Sequence, residues 1–169
     1  MTMPSNRACI LLVMLAAAVG EPVSTLADDT NQAITLKPET LEFSPIPHMP
    51  GCASAAIIRG NPRSGPAWVF LKLATGCRVP WHWHTANETL LVISGRGTLA
   101  MKDGPPLRFV PGAYASLPNH HVHEARCSRA CLFFNTADAA FDINYVDASG
   151  KEISSDEAIK SAAKPERKK

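Results

Sequence analysis

Short apolar runs separated by turn residues dominate the chain from Cys52 to Val146. Runs of this kind, with glycine, proline, asparagine or aspartate between them, are typical of strands in a sandwich or barrel. Nothing resembling a ten-residue helical pattern interrupts them, which excludes a parallel βαβ architecture. The pattern predicts strands near 53–59, 67–74, 78–84, 88–94, 97–102, 107–110, 113–118, 122–127, 131–136 and 142–146.

The flanks of this region have other patterns. Residues 28–49 contain Pro38, Pro45 and Pro47, which prevent a long helix, so this segment is predicted to be an extended arm. Ser154 and the acidic residues after it predict the start of a short helix that Pro165 ends. The predicted organisation is a signal peptide at 1–27, the arm at 28–49, the barrel at 50–147 and a C-terminal tail at 148–169.

The N-terminal segment predicts export. Arg7 precedes the apolar run Ala8–Val19, and Thr25 to Ala27 offers small residues at the positions that a signal peptidase reads. The run is short for a bilayer span, which favours a cleaved signal over an uncleaved anchor. We therefore expect a periplasmic or secreted protein with no membrane association after cleavage.

Charge and cysteine content narrow the class further. The formal net charge is +2, and no basic stripe interleaved with aromatic residues is present, so we expect no nucleic-acid partner. An oxidising compartment would allow two disulfides, although the sequence does not fix their pairing. Cys127 and Cys131 bracket a predicted hairpin turn and could be cross-strand neighbours; metal-binding thiols are the weaker alternative, because a C-x3-C without a second pair is a poor zinc signature. The four cysteines beyond the signal are Cys52, Cys77, Cys127 and Cys131.

Three histidines and a glutamate form a candidate metal site. His82 and His84 are two residues apart in a predicted strand, which places both imidazoles on one face. Residues 85–87 can turn the chain, so Glu88 at the start of the returning strand would face them. His123, one hairpin and one strand further along, could complete the set. Neutral imidazoles with a carboxylate suit Fe, Mn, Ni, Cu or Zn.

The stretch from Gly76 to Gly95 resembles the first motif of the cupin superfamily. That motif is G, five residues, H-x-H, three or four residues, E, six residues, G, and the chain matches it without a gap at Gly76, His82, His84, Glu88 and Gly95.

A second, partial motif follows downstream. Gly112, Pro118 and His123 match the family pattern, whereas His120 stands where glycine is usual and Cys127 where asparagine is usual. Glycine at that position normally serves a tight turn, so His120 implies either a strained backbone or a different turn.

The resemblance implies a fold and a cofactor. Cupins are all-β proteins with a small antiparallel β-barrel, or jelly roll, and their two motifs hold one metal inside the barrel. Here the expected fold adds the extended N-terminal arm and the short C-terminal helix. By position the implied metal ligands are His82, His84, Glu88 and His123, and the expected cofactor is one divalent ion, with Fe or Mn favoured and Zn, Ni or Cu as alternatives.

The resemblance also implies a small-molecule substrate or ligand, without fixing the reaction. The leading hypothesis is an exported metal-dependent enzyme of dioxygenase type, an oxidoreductase in which Glu88 could also act as a catalytic base. Alternatives are an isomerase or lyase using the same site, a non-catalytic metal- or ligand-binding cupin, and a barrel merely stabilised by metal. A homodimer is expected. Arg96 and Arg126 could meet an anionic substrate or be solvated.

Overall fold

Antiparallel strands make up about half of residues 33–163, the part of the chain that the computed structural model describes. Residues 36–163 belong to one compact unit. The predicted signal peptide lies outside the described residues. In chain order the elements are a 3₁₀ turn (Pro38–Thr40), β1 (Ser44–Pro45), β2 (Ala53–Gly60), β3 (Ala67–Leu73), β4 (Arg78–Trp83), β5 (Glu88–Met101), β6 (Leu107–Phe109), β7 (Tyr114–Leu117), β8 (His123–Ala137), β9 (Asn144–Tyr145) and α1 (Ser155–Ala162).

The long strand β8 is the centre of the sheet. It pairs with β5 along one edge and with β3 and β4 along the other. β2 and β1 extend the sheet beyond β3, β6 and β7 pair with β5, and β9 pairs with β4. Every ladder is antiparallel, and the sheet curls into a half-barrel. The predicted all-β fold is confirmed.

Alternate side chains of these strands fill the inside of the curl. Val79, Leu99 and Ala125 occupy paired positions on three neighbouring strands, and all three are buried. Phe109 and Phe133 pack edge to face with ring centroids 4.9 Å apart. Polar groups buried in such a core are costly unless they have partners. Among the described residues, the buried polar side chains are His82, His84, Glu88, His123, Glu124 and Asn135.

Two predicted pairs of strands are in fact single long strands. β5 joins the predicted strands 88–94 and 97–102, and β8 joins 122–127 and 131–136. The ladder between β5 and β8 changes register between Val92 and Gly97, so the residues that look like turns in the sequence are bulges. A Cβ at Gly97 would lie 2.0 Å from the Arg126 carbonyl oxygen. Glycine therefore lets the two strands approach closely here.

The four cysteines form two disulfides, Cys52–Cys77 and Cys127–Cys131. Cys127 and Cys131 are bonded, but they lie on one strand, so the predicted hairpin turn between them is wrong. The reason is the bulge in β8, where residues 128–130 are exposed and both cysteines point inward and are buried. Because all four thiols are bonded, they are not metal ligands.

The C-terminal helix α1 forms as predicted. Its N-cap is Ser154, whose Oγ accepts a hydrogen bond of 3.3 Å from the Glu157 backbone N–H. The helix packs on β4 and buries Ala158 completely. Within residues 33–163, no helix is both long and apolar enough to cross a membrane.

Candidate metal centre

A β-bulge in β4 turns the predicted histidine pair into the barrel. Val79 is opposite Ala125 and His82 is opposite His123, so a step of three residues along β4 pairs with a step of two residues along β8. Without this bulge, side chains at 79 and 82 would point to opposite faces, because strand side chains alternate. Pro80 lies in the bulge, where its missing N–H costs no ladder hydrogen bond. Both Val79 and His82 are consequently buried on the inside.

A backbone carbonyl fixes the tautomer of each of the three histidines. The Nδ1–H of His82 donates to the Pro80 carbonyl at 2.6 Å, and that of His123 donates to the His121 carbonyl at 2.9 Å. The third bond joins His84 Nδ1 to the Asp142 carbonyl. A carbonyl can only accept, so the proton of each neutral ring is on Nδ1 and the lone pair is on Nε2. This is the arrangement that metal-ligating histidines use.

The free ring nitrogens converge with a carboxylate. One ligand atom from each histidine lies within 4.8 Å of the other two. Glu88 Oε2 lies 3.5 Å from His84 Nε2 and 3.4 Å from His123 Nε2. This oxygen is buried and has no hydrogen-bond partner among the described residues. Four electron-pair donors therefore meet in a buried place.

The electrostatics of the pocket favour the neutral forms of His82 and His84 and the charged form of Glu88. Burial lowers the pKa of His82 well below its ordinary value, and the neighbouring His123 and His84 lower it further. Burial also lowers the pKa of His84. For Glu88, burial alone would raise the pKa, but attraction to His84 and the hydrogen bond from Asn135 are among the causes that outweigh it, so the pKa lies below the ordinary value. Neutral imidazole and ionised carboxylate are the forms that bind metal.

Two residues that the sequence analysis did not single out support the donors. Asn135 is buried on β8, and its Nδ2 donates to Glu88 Oε1 at 2.5 Å. The ring of Phe141 stacks on His84 with centroids 4.1 Å apart. Asn135 shares its strand face with Phe133, and a lone amide at a core-facing position of an apolar strand is a signal that could have found it. Phe141 lies outside the predicted strands and leaves no such signal.

The loops around this end of the barrel are tied together by side chains. Thr85 donates its backbone N–H and its hydroxyl to the two carboxylate oxygens of Asp142. Asn87 binds Asp138 in the same way, and its Oδ1 accepts from the Asn119 N–H at 3.0 Å. Residues 85–87, 118–122 and 138–143 form one connected rim, which holds the His84 ring through the Asp142 carbonyl.

The family of this fold follows from its similarity to known proteins. Residues 69–133 match the family model described as "Cupin domain". These residues form a cupin domain. No curated protein matches the chain at a significant level.

Solved structures of three other proteins share the fold at low sequence identity. An RmlC-like cupin from Shewanella frigidimarina NCIMB 400 is 18% identical with a TM-score of 0.53, over 64% of this chain and 92% of that one. The polyketide cyclase RemF from Streptomyces resistomycificus is 15% identical with a TM-score of 0.59, over 69% and 87%. The DMSP lyase DddQ from Ruegeria pomeroyi DSS-3 is 16% identical with a TM-score of 0.52, over 68% and 61%. At these identities the likeness establishes the fold alone.

The cupin turn before His123 keeps its left-handed backbone although the glycine is replaced. His120 has φ 60°, a conformation that glycine adopts without strain. Its ring stacks on Trp83 with centroids 4.3 Å apart, and its N–H donates to the His84 carbonyl at 2.8 Å. Of the two alternatives that the sequence left open, the strained backbone is the one observed. Stacking and hydrogen bonding offset part of its cost.

The donor set fits a divalent metal. The three Nε2 atoms and Glu88 Oε2 have no proton among them in the tautomers that the backbone fixes, so they cannot satisfy one another by hydrogen bonds. A buried carboxylate oxygen without a partner is costly, and a cation offsets that cost. The three histidines of the cupin domain are thus positioned to bind a metal ion. Glu88 lies beside them as the sequence predicts, and its role as a ligand remains a prediction.

Proposed function

We propose that this cupin domain binds one divalent metal through His82, His84, Glu88 and His123 and acts as a small-molecule enzyme. The observation that carries the proposal is the convergence of three Nε2 lone pairs with a buried carboxylate oxygen that has no hydrogen bond.

The donor chemistry is compatible with several divalent ions. Two kinds of donor, imidazole nitrogen and carboxylate oxygen, suit Fe, Mn, Ni, Cu or Zn, and four protein ligands leave two positions of an octahedral Fe or Mn ion for other molecules. When bound, such an ion supplies Lewis-acid polarisation of a substrate oxygen and, for a redox-active ion, the capacity to activate O₂.

Within this proposal, the residues around the donors orient them. Asn135 binds Glu88 Oε1 and leaves Oε2 directed at the histidines. Because the pKa of Glu88 is lowered, its side chain stays ionised at neutral pH, as a ligand must. A general base works best with a pKa near the operating pH, so Glu88 is supported more strongly as a ligand than as a base.

The leading reaction type remains oxidation by a dioxygenase. A second candidate, a lyase or an isomerase-like reaction, is favoured by what two proteins of similar fold do, since one is a polyketide cyclase and the other a DMSP lyase. Fold likeness does not choose between them, because one fold hosts many reactions. A site that binds metal or a ligand without turnover is the remaining alternative.

The test is to purify the protein without a histidine tag, determine its metal, and measure O₂ uptake on enols, catechols and flavonols. The same substrates are followed by mass spectrometry for isomerised or cleaved products. Metal-dependent O₂ uptake supports the dioxygenase, and product without O₂ uptake supports the lyase or isomerase. Tightly held zinc with no product from any substrate would contradict the enzymatic proposal and favour a binding or structural role.

We also propose that the protein is exported and acts as a homodimer. The N-terminal apolar run supports export, and the exposed side chains Trp68 and Tyr114 on the outer face of the sheet support association. N-terminal sequencing of the secreted or periplasmic form should find a start near Asp28. Light scattering should give twice the mass of one chain. An intact N-terminus or a monomeric mass would contradict the respective proposal.

A further inference from the structure

A row of arginines crosses the outer face of the sheet, on the side away from the core. Arg78 on β4 is opposite Arg126 on β8, and Arg126 is opposite Thr98 on β5, which is opposite Arg108 on β6. Residues directly opposite each other in a sheet point to the same face. The next row along these strands contains buried core residues, so the arginine row faces outward.

This row lines a surface groove of about 610 Å³. The groove runs past the bulge shared by β5 and β8, where Arg96, Gly97 and Ser128 contribute to its wall, and reaches Ala162 at the end of α1. We call this the arginine groove. Four of its lining residues, Arg78, Arg96, Arg108 and Arg126, carry a guanidinium group.

One buried glutamate orients two of the guanidinium groups. Glu124 Oε2 accepts from Arg78 Nε at 2.8 Å and from Arg78 Nη2 at 2.5 Å, and its Oε1 accepts from Arg126 Nε at 2.6 Å. The Glu124 side chain is only 4% exposed, whereas those of Arg78 and Arg126 are 24% and 37% exposed. The buried Glu124 carboxylate therefore fixes the positions of both guanidinium groups, while the exposed parts of the two arginine side chains line the groove.

Among the described residues that line the groove, four are arginines and none is a carboxylate. Glu124 is an acidic partner of Arg78 and of Arg126, and no described carboxylate forms an ion pair with Arg96 or Arg108. In the β5–β8 ladder, Arg96 is opposite Arg129, which adds a like-charge pair beside the groove. Like charges directly opposite each other destabilise a sheet. An anion in the groove would relieve this repulsion.

We propose that the arginine groove binds an oxyanion carrying two negative charges, such as a phosphate group or a dicarboxylate. Planar guanidinium groups match the oxygens of both, and charge-assisted hydrogen bonds are the strong ones. The groove is separate from the metal centre: Arg126 and His123 point to opposite faces of β8. The proposal therefore does not depend on the catalytic role proposed above.

The test is calorimetric titration of the full-length protein, as purified with its metal, with inorganic phosphate and with succinate, using chloride as the monovalent control. The affinity of the divalent anions should fall as ionic strength rises. The R96Q/R108Q variant should bind them at least about tenfold more weakly, as expected for the loss of charge-assisted hydrogen bonds. R63Q removes the same charge from an exposed turn outside the groove and should change affinity less than about twofold.

The results distinguish a phosphate site, a dicarboxylate site and the absence of an anion site in the arginine groove. Tight phosphate with weak succinate identifies a phosphate site, and the reverse identifies a dicarboxylate site. The proposal is wrong if neither anion binds, if R63Q weakens binding as much as R96Q/R108Q, or if R96Q/R108Q binds like the wild type, which would place the anion away from Arg96 and Arg108. The R96K/R108K variant keeps the charge but loses the planar guanidinium groups, so its anion affinity should lie between those of the wild type and R96Q/R108Q. If R96Q/R108Q does not fold, R96K/R108K takes its place in the test.

Discussion

At the scale of single residues, the candidate metal centre depends on hydrogen bonds from surrounding residues to the side chains that would bind the metal. Backbone carbonyls of Pro80, His121 and Asp142 fix the three histidine tautomers, and the amide of Asn135 fixes Glu88. Outer partners of this kind usually contribute 10- to 100-fold in metal affinity, roughly. Substitution of residues that do not contact a metal should therefore also change metal binding.

Asn135→Leu should lower metal affinity by about 10- to 100-fold. The hydrogen bond from Asn135 is one cause of the lowered pKa of Glu88, so its loss raises that pKa. Protons then compete with the metal at higher pH, and the pH at which half the metal is released should shift upward. The check is a competition titration with a chelator across pH. Thr136→Val, on the other face of β8, is the control; equal behaviour of both variants would contradict this role.

At His120 the left-handed backbone predicts an inverted preference between alanine and glycine. Both substitutions lose the stack on Trp83, but only glycine relieves the strain at φ 60°. His120→Gly should therefore be more stable than His120→Ala by about 1 kcal/mol. The same pair at Ser116, an exposed strand position, should show alanine as the more stable by roughly 0.5–1 kcal/mol. Urea unfolding measures both differences, and the same sign at the two sites would refute the strain.

At the scale of elements, the bend shared by β5 and β8 shapes the barrel. Bulges in both strands fall at the same level, and Gly95 and Gly97 allow the backbones to approach. A Cβ at Gly95 would lie 2.4 Å from the Ala130 carbonyl oxygen. Bulges bend a strand and increase its twist, which is how one sheet can curl around a core.

Gly97→Ala should destabilise the fold by about 1–3 kcal/mol, because the added methyl overlaps the Arg126 carbonyl and the strands must separate. Gly51→Ala is the control, since a Cβ there meets nothing within 4 Å. That change should lie within roughly 0.5 kcal/mol of wild type. The midpoint of urea unfolding reports both. A Gly97→Ala variant as stable as the control would show that the two strands do not meet as described.

These elements also show where sequence analysis succeeds and where it fails. Strand-forming runs and the spacing of the first motif identified the fold and brought His82, His84 and Glu88 into one site with His123. The sequence could not distinguish a bulge from a turn at 94–97 or 128–130, because glycines and exposed polar residues serve both. It also missed Asn135, although a single amide at a core-facing position of an apolar strand is a signal that could have found it. Contacts from distant loops, such as Phe141 on His84, are set by the tertiary fold.

At the scale of the whole molecule, the two disulfides close loops of very different size. Cys52–Cys77 spans 25 residues and Cys127–Cys131 spans 4. By chain entropy, removing the first should cost about 3.5 kcal/mol and removing the second about 2 kcal/mol. Paired substitution to alanine, with unfolding followed under non-reducing conditions, measures each cost. A larger loss from the short loop would contradict the entropic account.

The central claim is that one metal ion is held by His82, His84, Glu88 and His123. Its most direct test is the metal-to-protein ratio of untagged protein, measured by elemental analysis for the wild type and for His84→Ala, His123→Ala and Glu88→Gln. His48→Asn, at an exposed histidine outside the site that also has a positive φ, is the control. We predict about one Fe, Mn, Ni, Cu or Zn per chain in the wild type and the control, and less than about a tenth in the three variants, because the remaining donors cannot complete the shell. Wild-type metal content in both histidine variants, or no bound metal in the wild type, would contradict the account.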